Sequence, residues 1–284
     1  MHEPALRAAA FGSDPLPDPA VVRGPGSPRE RLLAAIVLGA QGRYAAAATL
    51  LDALRRGRDP VTASLAASSL ASHRRQLGGH RQARALDGEA LAKAASLDTE
   101  QDPDGLDAAG ARADALLGLA ADNLALGRLT AARRLAAQAA DQKAGWRGRV
   151  RGGWVGAEIA LAAGQGADAV PHAERALETA LARGARRHAV KSRIVLAVAL
   201  RAAGAPDHRN ISDDLVGNAM AAAEECELLS LSWPAALVAA DLRPGHAEEY
   251  RFRVAQVLHA VLRSADPCGR RVAGESPWVP VPGG

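Results

Sequence analysis

The stretch Ala35-Ile36-Val37-Leu38-Gly39-Ala40-Gln41-Gly42-Arg43-Tyr44-Ala45-Ala46-Ala47 carries the fold. It is apolar and helix-forming on both sides of Gly42, with one alanine seven residues before the glycine and another five after it. The unit A-x6-G-x4-A returns at Ala71/Gly78/Ala83, Ala120/Gly127/Ala132 and Ala157/Gly164/Ala169, and without its last alanine at Ala197/Gly204. Two antiparallel helices joined by a tight turn approach closely only where side chains are short, and the turn wants a residue free to adopt a left-handed conformation. The repeat therefore reads as a recurring helix-turn-helix, with turn glycines 36, 49, 37 and 40 residues apart.

Composition agrees. Hydrophobic residues make up 48% of the chain but aromatic residues only 3%, which supplies few bulky anchors for a sheet sandwich and many small residues for close helix packing. The expected class is all-α. Of 35 basic residues only Lys93, Lys143 and Lys191 are lysines, and 31 acidic residues leave a net charge of +4, too small for this length to imply nucleic acid by itself.

These intervals lie close to the roughly 34-residue period of two-helix repeats, and the chain here resembles the tetratricopeptide repeat family, from about Pro28 to Gly204 with a degenerate continuation to about Ser230. Tyr44 fills that family's aromatic slot after the turn glycine, which elsewhere holds His80, Leu129 and Gly166. Trp154 approximates its early tryptophan and Pro60 its closing proline. The resemblance implies a right-handed α-solenoid of about five helical hairpins with a C-terminal capping helix.

The expected organisation is a disordered leader over 1–27, repeats over 28–230, capping helices over 231–265 and a flexible tail over 266–284. Ser27-Pro28-Arg29-Glu30 has the form of a capping box with proline at the first helical position. The hairpins fall at about 28–57, 60–97, 107–144, 148–184 and from 186. Trp233-Pro234 and Arg243-Pro244 divide the remainder into a short helix near 235–241 and a longer one near 245–264. The acidic stretch from Asp98 to Asp107 accounts for the long second interval as an insertion, read as a solvated linker or else an acidic docking loop. Cys226 and Cys268 stand in dissimilar contexts, so a disulfide framework is not expected. The first thirty residues hold acids and prolines in place of an apolar core, unlike a secretory signal, and no apolar run is long enough to span a membrane. A cytoplasmic protein is expected.

Candidate chemistry is sparse. Gly164-Gln165-Gly166-Ala167-Asp168-Ala169 matches a dinucleotide fingerprint in letters but follows a helix-forming segment, so it reads as another turn. No Gly-Lys dipeptide, G-x-S-x-G, C-x-x-C or H-E-x-x-H occurs, and the histidines read as surface or helix-flanking side chains. The expectation is a non-enzymatic protein with no cofactor and no metal. Two arginine-rich stretches stand out: Trp146-Arg147-Gly148-Arg149-Val150-Arg151-Gly152-Gly153-Trp154, and Arg183 to Arg193. The first could stack on bases and neutralise phosphates, or form the entry to the fourth repeat.

In stacks of the resembled family the first helix of each hairpin lines the concave face. Counting back from the turn glycines places Arg75, Asp114, Arg151, Trp154, Glu158, Lys191 and Arg201 there, with Leu117, Leu124, Leu161, Ile194 and Val198. That groove, apolar with a basic tilt, complements an acidic and apolar segment of another protein. The expected function is a scaffold or adaptor binding such a segment. The second function class is a regulatory protein associated with transcription or nucleic acid through its arginine-rich patches, like the helical sensor domains of bacterial regulators.

Overall fold

The computed structural model describes residues 2–23 and 26–280. Met1, Gly24, Pro25 and residues 281–284, which belong to the expected leader and tail, lie outside the described residues. Among the described residues the chain is helical throughout, with no strand. In order come α1 (Glu3–Phe11), α2 (Pro19–Arg23), α3 (Pro28–Ala40), α4 (Tyr44–Arg55), α5 (Pro60–Gln76), α6 (His80–Ala94), α7 (Ala108–Ala125) and α8 (Leu129–Ala140). Then follow α9 (Trp146–Ala162), α10 (Gly166–Ala182), α11 (Arg186–Ala203), α12 (His208–Glu225), α13 (Leu229–Leu242), α14 (Ala247–Arg263) and α15 (Pro267–Glu275).

The repeat motif does what its chemistry dictates. Gly42, Gly78, Gly127, Gly164 and Gly204 all sit at φ between 74° and 77°, the left-handed region. In the first four turns the next residue's N–H reaches back to the carbonyl five residues earlier, as in Arg43 to Leu38 and Gln165 to Ala160, both 2.9 Å, closing the helix end. Ala35, Ala71, Ala120, Ala157 and Ala197, with Ala47, Ala83, Ala132 and Ala169, are buried without exception. The first repeat helix is capped as read from sequence, Ser27 accepting from the Glu30 N–H while Glu30 accepts from the Ser27 N–H, and the structure adds Asp59 and Asp107 as the caps of α5 and α7. Gly166 opens α10 where any Cβ would strike the backbone of Ala202, so the supposed fingerprint glycine serves close packing.

Consecutive helices from α1 to α14 pack on one another, and the odd-numbered helices from α3 to α13 each also touch the next odd one in that series. The series returns on itself, because α13 packs against α3. The odd helices thus form an inner ring, backed by α4, α6, α8, α10, α12 and α14.

The expected ends are corrected. The leader is not a disordered segment: α1 buries Leu6, Ala9, Ala10 and Phe11 against α3 and α11. Residues three and four apart share a helix face, so this short amphipathic helix of two and a half turns finds an apolar surface to cover. Nor is 266–284 simply a flexible tail, since α15 is N-capped by Asp266, buries Val272 and Ala273, and is held to α5 by an Arg74–Asp266 ion pair of 2.7 Å. Helix α13 begins at Leu229 and runs through Pro234, where a break was expected. A proline one and a half turns into a helix forfeits a single backbone bond, which the apolar burial of Trp233, Ala235, Ala236 and Ala239 offsets. The final helices do not cap a free end but fold back on the first turn, with the Ala45 N–H donating to Ser264 O at 2.7 Å and Val261 against Gly42.

The acidic insertion is likewise neither fully solvated nor free for docking. Asp98 and Glu100 are exposed, but Asp102 and Asp104 receive Arg7 at 2.7 and 2.6 Å, and Arg29 also pairs with Asp102. Asp104 further accepts from Trp146 Nε1 at 3.2 Å. Among the described residues no helix is long and apolar enough to cross a membrane. Cys226 and Cys268 are both unpaired thiols.

Candidate functional site

At the centre of the inner ring lies a cavity of about 270 Å³, walled by α3, α5, α7, α9, α11 and α13, with Phe11 of α1 at its edge. Helix α9 contributes a single stripe, Arg147, Arg151, Trp154 and Glu158, whose spacings of four, three and four residues keep them on one face. Helix α11 contributes Arg187, His188, Lys191 and Ile194 on the same logic. Six of the seven residues expected in the groove, Arg75, Asp114, Arg151, Trp154, Glu158 and Lys191, line this one cavity, together with Leu117 and Ile194.

Arg201 does not. Its guanidinium turns to Asp213 at 3.1 Å and to the Leu242 carbonyl at 3.4 Å, tying α11 to α12 and α13. It sits nearly four turns beyond Arg187 on the same helix, past the end of the cavity, where its acceptors belong to α12 and α13. Leu124, Leu161 and Val198 are absent from the lining for the same reason.

The charges are partly neutralised in place. Buried Asp114 takes Arg147 Nη2 at 2.6 Å on one oxygen and Arg151 on the other. Burial pushes its carboxyl up, but the two guanidinium groups outweigh that and hold it below its ordinary value. Arg75 bridges Asp87 and Asp122, the latter at 2.8 Å, and His80 Nδ1 lies 3.1 Å from the same carboxylate. Burial is the larger influence on Asp87 and pushes its carboxyl to about 7 despite Arg75. Gly118 leaves the space Asp87 occupies, since a Cβ there would overlap the carboxylate. Lys191 reaches Glu158 at 3.4 Å and lies over the Trp154 ring, 5.8 Å from its centroid.

Arg187 differs. Among the described residues it makes no ion pair and no side-chain hydrogen bond. Burial, then the proximity of Arg147 and Arg151, lowers its pKa to about 10, despite attraction from Asp114 and Tyr44. The aromatic part of the wall is a cluster: His188 stacks on Trp154 at 5.7 Å and meets Trp146 edge-on at 4.9 Å, while the Arg147 guanidinium covers Phe11 at 4.6 Å. Trp154 Nε1 donates to Ser192 Oγ at 2.8 Å.

The expectation of surface histidines is corrected at two positions. His73 is buried in a stack with Tyr44, 4.9 Å between ring centres, and a Cβ on Gly39 would overlap its ring. His188 is buried as well. Both are neutral: burial first, then neighbouring arginines, lower His73 to about 3 and His188 well below its ordinary value.

Sequence reasoning missed Arg147 and Arg187 as lining residues, though each stands one helical turn before a residue it did place, Arg151 and Lys191. A further turn of counting would have found them. Phe11 and His73 carry no such local signal, because only the return of α1 and the Gly39 gap bring them to the wall. The arginine–tryptophan stretch points inward at Arg147 and Arg151, and leaves Arg149 exposed. Among the described residues no group of three or more His, Cys, Asp or Glu side chains is placed to hold a metal ion.

No family model matches the chain, and no curated protein matches it. Among solved structures the chain is similar to BtubC (BKLC) from P. vanneervenii, at 19% identity over 80% of this chain and 94% of that chain, with a TM-score of 0.49.

Proposed function

We propose that the chain is a non-enzymatic interaction module, a right-handed α-solenoid of about five tetratricopeptide-like hairpins closed by α13–α15, whose inner wall receives an acidic and apolar segment of another protein. The observation that carries this is the convergence of Arg75, Arg151, Trp154 and Lys191 on one cavity, joined by Arg147 and Arg187 and faced by fewer acids. Long cations orient and neutralise carboxylates, while tryptophan offers apolar area at little rotamer cost.

The test is fluorescence anisotropy with a labelled peptide of alternating Asp and Phe residues, against the same peptide with Asn for Asp. Lys191→Glu weakens binding of the acidic peptide at least tenfold, about 1.4 kcal/mol. Arg201→Glu, outside the cavity, leaves it unchanged. Equal binding of both peptides, or loss only in Arg201→Glu, overturns the proposal. Single-stranded DNA binding that is blind to Lys191→Glu and lost on replacing Arg149 and Arg183 would favour the nucleic-acid reading instead.

A further inference from the structure

The ring interior is unevenly balanced, and the imbalance has one address. Each of its other cations has a counter-ion: Arg147 and Arg151 share Asp114, Arg75 bridges Asp87 and Asp122, and Lys191 meets Glu158. Arg187 alone among these has none among the described residues, although it is half-buried and lies on the cavity wall. A desolvated cation beside two others costs free energy unless an anion completes it. Nothing in the packing demands arginine there, because Asp114 is already saturated by its two partners and the neighbouring His188 is packed as a neutral ring among Trp146 and Trp154.

We infer that Arg187 is the anchor of a carboxylate site, and that the cavity takes a small monoanionic carboxylic acid with an aromatic or apolar body. Arg147, Arg151 and Arg187 stand against Asp114 alone, so a carboxylate on Arg187 offsets part of that excess without over-neutralising the wall. A guanidinium fork presents two parallel donors to the two oxygens of a carboxylate. Trp154 and Phe11 supply the apolar wall for the body, and a cavity of about 270 Å³ limits its size. The inference rests on the reading of the inner wall as the binding surface and deepens it, since the same carboxylate could arrive on the tip of a protein segment; here a free acid suffices.

The experiment is isothermal titration of the full chain with 3-phenylpropionate and with its uncharged amide, 3-phenylpropanamide. The acid binds at least tenfold more tightly than the amide, and Arg187→Gln reduces the acid to the level of the amide. Arg187→Lys, which keeps the charge but not the fork, recovers part of the difference. The melting temperature of Arg187→Gln is equal to or above that of the wild type, because an unpaired cation has been removed, and this confirms that the variant is folded. Acid and amide binding alike, or Arg187→Gln binding the acid as the wild type does, overturns the inference. If the acidic peptide binds in a Lys191-dependent manner but 3-phenylpropionate does not bind, the carboxylate site falls and the groove reading stands. If neither binds, both fall.

Discussion

Glycine has two opposite meanings in this chain, and substitution separates them. Gly127 holds φ at 75° in open space, so a Cβ there meets no neighbour and only backbone strain opposes it. Gly88 lies inside α6, also in open space, with ordinary helical backbone. Gly127→Ala is expected to destabilise by about 1–2 kcal/mol, the cost of a left-handed alanine, whereas Gly88→Ala stabilises by about 0.5–1 kcal/mol through helix propensity. Urea denaturation checks both, and the same sign for the two would remove the turn argument. The five turn glycines were legible because conformational demand is local. The space at Gly39 and Gly118 was not, because what fills it, His73 and Asp87, comes from other helices.

Among the elements, α1 was the least legible. Its few apolar residues look marginal in isolation, as a helix this short is in water. What holds it is distant: Arg7 reaches Asp102 and Asp104, and the Arg186 N–H donates to Gly12 O at 3.1 Å. Burial works against the Arg7 charge but the Asp102 and Asp104 hydrogen bonds prevail, raising its pKa. Arg7→Ala therefore removes the ion pairs that tie α1 directly to the acidic loop, leaving only Arg29 between Glu3 and Asp102. Hydrogen exchange is expected to show residues 3–11 losing protection while α5–α10 keep theirs, with an unfolding free energy from urea denaturation lower by about 1–3 kcal/mol. Protection of α1 equal to wild type would mean that the Arg7 ion pairs do not hold it.

At the scale of the whole molecule, the neutral histidines make the closed ring sensitive to acid. His73 has a folded pKa of about 3 and His188 one well below its ordinary value, so below about pH 6.5 the unfolded chain takes up protons that the folded chain refuses. Each then costs about 1.4 kcal/mol per pH unit. Asp87 works in the opposite sense: its folded pKa of about 7 is raised, so it stabilises at low pH and that contribution is lost as pH rises toward 7. One proton offsets one of two. Stability measured by urea midpoint is expected to fall between about pH 6 and 4, and less steeply in His188→Phe. A midpoint that holds or rises on acidification would contradict the neutral burial of these rings.

Helix type, turn positions and the alternation of small residues follow from the sequence alone, since backbone conformation at a glycine and packing between neighbours in the chain are short-range effects. So does the membership of most of the groove, because a helical stripe is fixed by residue spacing. That α13 meets α3, that α1 and α15 pack down, that Arg201 faces away and that Arg187 is left without a counter-ion among the described residues were decided by tertiary structure. Small rotations between successive helix pairs accumulate into closure, and only closure determines which charges meet.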